Sequence, residues 1–576
     1  MGTMKTWELI AGLAAFNKQE NDKYSDLTYI QTLLDTMDAS IMNQILLNHE
    51  NVDSDDESKL LEKYLKFAET RKGTDQNNIG FKCNFYVYNE SMEPLVADIR
   101  VHSCNEASVL DNPINQHDMK VLRNQLYFHR RVSNEKGMAS LYLPKGKYEI
   151  FISKGSEYEL KYIKLDVIDS EVDLNIILRQ FIDLKSLGYY AGDLHHHSVY
   201  SSPLYGGTDF VVDQVSEVKQ SMLAAGLSFG ALSDHHNILN HNEWVSTEEA
   251  DFVPIISKEI STSNGHVLAL GVKKDIIYNI PSRKDRSDEY LRAEFIRITD
   301  RIKELKGLAQ LNHPRDAQAA ISFNPNYTDI IDIFDTIEVW NGAYPLELFT
   351  PNHKAFILWL SLLDEGRFIP ATTGSDTHDI NGNFILSKID EIIDYMSNIL
   401  KIYDNFSEEE KKLADEFLHM VMAALPTYKK SNLYASSSGG VRTYIHSNKK
   451  NLTADLILKE LRSGHSFLTN GPILIPSING KGIGETVTIA YSTSNIDIDI
   501  TILSNRKLKT LHFWKSSTDC EKITLADVEK NELGYYDYSG SYSTNIKDNA
   551  YIVFMVKEDC SCLAVTNPIF IKVEHR

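Results

Sequence analysis

The period of the hydrophobic positions changes repeatedly along this chain, and each change marks a domain border. Over residues 1–76 apolar side chains recur at helical spacing, most clearly across 27–47, and Asp55-Asp56-Glu57 charges the start of a further helix. Residues 1–78 are therefore expected to form a helical segment. From 79 to 184 the period shortens to two, as in Phe81-Lys82-Cys83-Asn84-Phe85-Tyr86-Val87 and Lys147-Tyr148-Glu149-Ile150-Phe151-Ile152. Short alternating strands with turns between them predict a β-sandwich. Across 185–470 short apolar runs alternate with helix-period stretches at 209–226, 289–307 and 353–366, a pattern that predicts parallel β/α units. Residues 471–576 return to period two in Ile496-Asp497-Ile498-Asp499-Ile500-Thr501-Ile502 and Tyr551-Ile552-Val553-Phe554-Met555-Val556, predicting a second β-sandwich.

A helical insertion is expected at about 380–440. Ser407 to Glu410 forms a capping-box pattern ahead of Leu413, Phe417, Val421 and Ala424, and Ser436-Ser437-Ser438-Gly439-Gly440 reads as a flexible return. Such an insertion covers a site as a lid, packs between subunits, or sits at the periphery as a hairpin.

Chemistry-bearing residues gather where the central apolar runs end. Strand parity points Asp193, His195 and His197 one way and His196 the other, and it groups Asp376 with His378 after Phe368-Ile369-Pro370-Ala371-Thr372-Thr373. Asp234-His235-His236 follows Phe229-Gly230-Ala231-Leu232, and Glu259 follows Val253-Pro254-Ile255-Ile256. His266 opens Val267-Leu268-Ala269-Leu270, while His313 closes Leu308-Ala309-Gln310-Leu311-Asn312. A single histidine is more often a hydrogen-bonded structural side chain than a ligand. This whole set at strand ends points to metal, because barrel enzymes place their chemistry there. His196 and His236 take a structural or outer role, and His241, His353 and His419 are read as surface or core residues. Asp193 and Asp234 are natural acceptors for the second ring nitrogen of a ligating histidine. Arg315 either faces negative charge on a substrate or makes a surface ion pair, and Asn341 either orients substrate or forms an Asn-Gly turn.

The motifs His195-x-His197, Ser233-Asp234-His235, Glu259, His266, His313-Pro314 and Asp376-x-His378 resemble the PHP (polymerase and histidinol phosphatase) superfamily. Gly188-Tyr189-Tyr190-Ala191-Gly192, Ile337-Glu338-Val339-Trp340-Asn341-Gly342, Gly464-His465-Ser466-Phe467-Leu468-Thr469-Asn470-Gly471-Pro472 and Thr566-Asn567-Pro568 resemble its CehA/McbA-type metallohydrolases. The resemblance implies a multidomain protein: a central PHP-type distorted (β/α)7 barrel flanked by β-sandwich modules, with the helical N-terminal segment added. It also implies that His195, His197, Glu259 and Asp376 hold one divalent metal, and that His266 and His313 hold a second that shares Glu259. His235 and His378 would serve a third position. Relatives supply another histidine soon after the first His-x-His, which 198–233 lack, and Tyr205 or Asp209 are the side chains able to replace it. Two ions are expected, Zn, Mn or Fe, with room for a third, since no cysteine lies between 188 and 440 to favour a thiolate-bound metal.

The activity implied is hydrolysis by a metal-held hydroxide, with Arg315, Asp193 and Asp234 assisting. Phosphate esters are the favoured small-molecule substrates, and carbamate or carboxylic esters are the alternative. A non-catalytic barrel, stabilised by metal and carrying glycan- or protein-binding β-modules, is the contrasting reading. Gly480-Lys481-Gly482-Ile483-Gly484 precedes a strand, not a helix, and is a turn instead of a phosphate loop.

Composition narrows the partners. The net charge of −21 over 576 residues argues against nucleic acid, which demands a basic surface. The 5 cysteines lack zinc-ribbon spacing and suit a reducing compartment. The apolar stretch at 9–16 is short and quickly followed by polar residues, and no later run approaches the roughly eighteen residues of a membrane span. The expected setting is cytoplasmic, without a membrane partner, and homo-oligomer formation is left open.

Overall fold

The order in which strands pair decides which polar strand ends meet. The computed structural model describes residues 58–65, 80–103 and 128–574, apart from internal gaps of which the longest are 279–286, 382–392 and 420–436. The expected helices of 1–57 lie outside the described residues. Residues 58–65 are helical, and Tyr64, buried on the central region, donates its hydroxyl to the Val211 carbonyl at 3.0 Å.

Two small sheets share the first core: β4 (Met138–Leu143), β1 (Phe81–Tyr88) and β7 (Val172–Ile177) in one, and β3 (Phe128–Val132), β2 (Asp98–Ser103), β5 (Gly146–Ser153) and β6 (Lys161–Val167) in the other. Alternation explains the packing, because Cys83, Phe85 and Val87 of β1 bury against Ile99, Val101, Ile150 and Ile152 while their neighbours face outward.

The central strands are β8 (Tyr189–Asp193), β9 (Phe229–Leu232), β10 (Val253–Thr262), β11 (Gly265–Leu270), β12 (Leu308–Asn312), β13 (Thr336–Asn341) and β14 (Ala371–Gly374), neighbours in that order. Pairing is parallel except on the two sides of β11, which is antiparallel to both β10 and β12. This departs from the uniformly parallel expectation for a simple reason. Only two residues separate Thr262 from Gly265, enough for a hairpin but far too few for a parallel crossover. Beyond the strands, the two ends of the run touch: Asp376 N donates to the His195 carbonyl at 2.8 Å, His197 N donates to the Thr377 carbonyl at 3.0 Å, and His196 and Thr377 form a parallel bridge. Gly374 permits this approach, since a Cβ there would lie 2.3 Å from the Cβ of His195.

Helices pack against these strands in a shared core. Asp288–Glu304 starts at Ser287, whose side chain accepts from Tyr290 N, and buries Leu291, Phe295, Ile298 and Ile302 along one stripe. In the insertion both halves of the expected capping box form, with Ser407 N donating to Glu410 Oε2 at 2.7 Å and Glu410 N to Ser407 Oγ at 3.4 Å.

The central sheet does not stop at the expected border near 470. β15 (Arg442–His446) pairs with β8 and β16 (Ser466–Thr469), and β16 pairs with β24 (Leu563–Thr566). β17 (Ile473–Ile478), β19 (Asn495–Ser504) and β22 (Tyr536–Asn545) form a separate sheet, whose Ile473, Ile498 and Ile502 share a core with Phe513 and Phe554. β23 (Ala550–Glu558) carries the larger sheet from β24 on to β20 (Leu508–Trp514) and β21 (Cys520–Thr524), and β18 (Thr486–Ala490) pairs with β25 (Ile569–Glu574). Among the described residues no helix is long and apolar enough to cross a membrane.

Asn567, fully buried, accepts from Ala371 N at 2.8 Å and donates to the carbonyls of Ala371 and Ser466, joining β14 to the C-terminal strands. Asn567→Leu leaves these backbone groups without partners and should cost on the order of 3 kcal/mol. A lowered midpoint in urea denaturation is the expected result, and an unchanged midpoint contradicts the clamp.

Candidate metal centre

Glu259 lies inside β10, three residues before its end, and not after a short strand as its sequence context suggested. The hairpin explains its reach. Ser261 stands opposite His266, and Glu259, two residues back on the same face, becomes the diagonal neighbour of His266. The Glu259 carboxylate is 1% exposed and divides its oxygens. Oε1 faces His266 Nδ1 at 3.1 Å and His313 Nε2 at 3.3 Å, while Oε2 faces the Nε2 atoms of His195, His235 and His197 at 3.2, 3.3 and 3.4 Å. Asn312 Nδ2 steadies Oε1 at 2.8 Å.

Three groups of potential ligand atoms result, each with all members within 4.8 Å of one another: His195, His197, Glu259 and Asp376; His235, Glu259 and His266; and His197, Asp209, His235 and His378. His313 adjoins the second through Glu259. Asp209 is the residue brought to the third, with its Oδ2 at 3.1 Å from His235 Nε2 and 3.3 Å from His378 Nε2. The Tyr205 ring lies tilted against that of Tyr200, with centroids 4.5 Å apart.

Supporting contacts set the ring orientations. Ser201 donates its hydroxyl proton to Asp234 Oδ1 at 2.7 Å, so its oxygen accepts from His197 Nδ1–H at 3.1 Å. His197 Nε2 then presents a lone pair to Asp376 Oδ1 at 3.0 Å, an arrangement that needs a cation or proton between the two atoms. His378 Nδ1 donates to the Asp376 carbonyl at 2.9 Å, which likewise turns Nε2 toward Asp209. Asp234 thus acts on an imidazole through Ser201, and also takes bonds from Ser198 and Asn240. Asp193 is used differently from its expected role: it accepts from the backbone amides of His195, Ser375 and Gly439, stitching β8 to the segments behind it.

Glu338 performs the task assigned to Asp193. Fully buried on β13, it accepts from His195 Nδ1 at 3.1 Å through Oε1 and from His313 N at 3.0 Å through Oε2. Sequence reasoning quoted Glu338 but missed its role. The available signal was a carboxylate inside the apolar run Ile337-Glu338-Val339-Trp340, where burial demands a partner. Asn341 both donates to Asp376 Oδ2 at 3.0 Å and accepts from Ala343 N, so it orients a ligand while forming its turn. Arg315 is half-buried and donates to the carbonyls of Pro314 and Phe323. His196 turns away to Ser438 Oγ at 2.8 Å, His236 bonds the Tyr278 hydroxyl, and His241 bonds the Ser257 carbonyl.

Electrostatics show a site that demands positive charge. Burial works to raise the Glu259 carboxyl, but the imidazoles of His195, His235 and His266 hold it well below its usual range. Asp376 follows the same pattern, with burial opposed by His195, His197 and His378. Burial works to lower His313 and His378, yet Glu259 pushes the first up to about 9 and Asp209 the second up to about 9. Burial and the neighbouring His378 instead lower His197 to about 3. Asp209 Oδ2 and His313 Nδ1 are buried without a hydrogen-bond partner, and His313 and Asp376 adopt positive φ angles of 25° and 53°. Unpaired buried atoms and strained backbone among the same residues fit a bound cation. The nitrogen and carboxylate donors fit Zn, Mn or Fe.

No family model matches the chain, and no curated protein matches it. Among solved structures, an amidohydrolase from Chromobacterium violaceum with bound sulfate and no metal is 18% identical over 32% of this chain and 87% of that one, with a TM-score of 0.23. The Bacillus anthracis TIE protein is 14% identical over 21% of this chain, with a TM-score of 0.13, and the chain spans 19% of that protein's length. At these scores neither likeness bears on fold or activity.

Because His313 and His378 hold protons up to about pH 9 in the metal-free chain, binding must release them. Apparent zinc affinity should therefore climb between about pH 6 and 9 and then level off, with acidification on loading; a pH-independent affinity contradicts this. Glu338→Gln should weaken metal binding about 10- to 100-fold in chelator competition, while unaltered affinity denies its orienting role.

Proposed function

We propose that this chain is a metal-dependent hydrolase of the PHP type, acting on phosphate esters ahead of carbamate or carboxylic esters. The observation that carries the reading is the divided Glu259 carboxylate, which turns one oxygen to each of two imidazole groups. Hairpin aside, the run β8 to β14 with its touching ends supports a distorted (β/α)7 barrel as the frame. The grouping of Asp209 with His197, His235 and His378 supports a third cation position.

Two divalent cations held here would supply an acidified water near neutral pH and, against the carboxylates of Glu259, Asp376 and Asp209, a surplus of positive charge for an anionic ester. The chain's own residues do the positioning. Glu259 fixes the separation of the two groups, Glu338 and the Asp234–Ser201 pair aim His195 and His197, and Asn341 holds Asp376. Arg315, two residues after His313, steadies negative charge on the substrate. Favouring phosphate rests on the motif resemblance and that charge surplus.

Metal-loaded protein should turn over phosphomonoesters or phosphodiesters faster than carbamates or aryl esters. Chelation should abolish the activity, and Glu259→Ala should lower kcat/KM at least about a hundredfold. Faster carbamate hydrolysis transfers the reading to the alternative substrates. Rates that survive Glu259→Ala, or metal-replete protein inert on the whole panel, overturn the hydrolase.

A further inference from the structure

We infer that the cavity between the first β-module, the central sheet and the C-terminal strands is a binding site for a small oxyanion of phosphate or sulfate size. It measures about 130 Å³, and Arg100 of β2, Arg442 of β15 and Arg506 after β19 all line it. Three arginines from three regions line one space in a chain whose net charge is −21.

Arg442 gives the clearest sign. It is 7% exposed, and its Nη1 donates to the Ala225 carbonyl at 2.6 Å, yet its buried Nε has no hydrogen-bond partner. A buried guanidinium N–H without an acceptor is costly, and in a residue that lines the cavity it points to an acceptor supplied by a ligand. The carboxylates lining the cavity are already engaged. Asp98 is shared at 2.7 Å between Arg100 and Arg130, and Glu558 accepts from the Ser504 hydroxyl. Among the described residues that line the space, three arginines stand against two carboxylates. An oxyanion suits the planar fork of arginine. The volume admits several waters or one such ion, and falls short of the roughly 300 Å³ at which pockets begin to hold larger ligands.

This site is separate from the metal centre and does not depend on the hydrolase reading. Segment 437–440 divides them: Ser437 and Ser438 line the cavity, while Ser438 Oγ also meets His196 Nε2 at 2.8 Å and Gly439 N donates to Asp193 Oδ2 at 2.8 Å on the far side.

Calorimetric titration of the full chain, treated with chelator to keep anions off bound metal, tests the proposal with inorganic phosphate, sulfate and methyl phosphate. One saturable site is expected, at least tenfold weaker in Arg442→Met and unchanged in Glu259→Ala. Equal affinity for phosphate and methyl phosphate assigns a phosphate-ester headgroup, and preference for phosphate assigns the free ion. Should Arg442→Met fail to fold, hydrogen exchange on the unmodified chain decides: phosphate must slow exchange at 153–156 and 437–442. No saturable binding, protection confined to 193–197, or loss of binding in Glu259→Ala alone overturns the site and leaves the cavity to water.

Discussion

One buried carboxylate facing five imidazoles is the constraint around which the central region is arranged. An ionised Glu259 in the interior is costly unless opposite charge compensates it, and among the described residues no lysine or arginine pairs with it. Compensation falls instead to histidines, whose charge is conditional. Protons can occupy some of the ring nitrogens, but rings whose second nitrogen is already committed, such as His197 toward Ser201, present lone pairs that protons serve poorly. Cations satisfy all of these atoms together. The same reasoning covers Asp209, whose buried oxygen stands between two rings without a hydrogen bond of its own.

The backbone accepts distortion to build this arrangement. His313 and Asp376 sit at positive φ, and the contact between the two ends of the strand run requires glycine at 374. Such strain persists only where surrounding bonds over-determine it. Here they do: Glu338 holds the His313 amide, the His195 carbonyl holds the Asp376 amide, and Asp193 holds Ser375. Asp193 therefore matters as a backbone clamp, a role invisible to any argument built on ring nitrogens.

What could be read from the sequence was local. Strand parity set His195 and His197 apart from His196, as the structure has them, but it also grouped Asp193 with the two rings, whereas its carboxylate meets the amides of Ser375 and Gly439. The alternating blocks at 81–88 and 496–502 likewise bury the residues their period indicated. Residues whose role arises from pairing between distant segments were harder. Glu259 reaches His266 only through the hairpin register, Asp209 joins its group from the loop before helix Val215–Ala224, and Ser201 becomes a relay only once Asp234 is beside it. The hairpin itself was legible in hindsight, since the short spacing from Thr262 to Gly265 excludes a crossover.

The flanking modules are not bystanders to this centre. Arg130 of the first module, buried and paired with Asp98, donates to the Ile380 carbonyl, two residues beyond His378, and to Ser221 Oγ at 3.4 Å. Ser221 in turn donates to Ser438, which meets His196. On the other side, the pairings of β8 with β15, β15 with β16 and β16 with β24 make the strand that leads into the first histidines continuous with the C-terminal sheet. A rigid ligand set needs supporting residues whose own positions are fixed, and here several of them come from outside the central strands. The modules thus contribute to the candidate metal centre as parts of its frame.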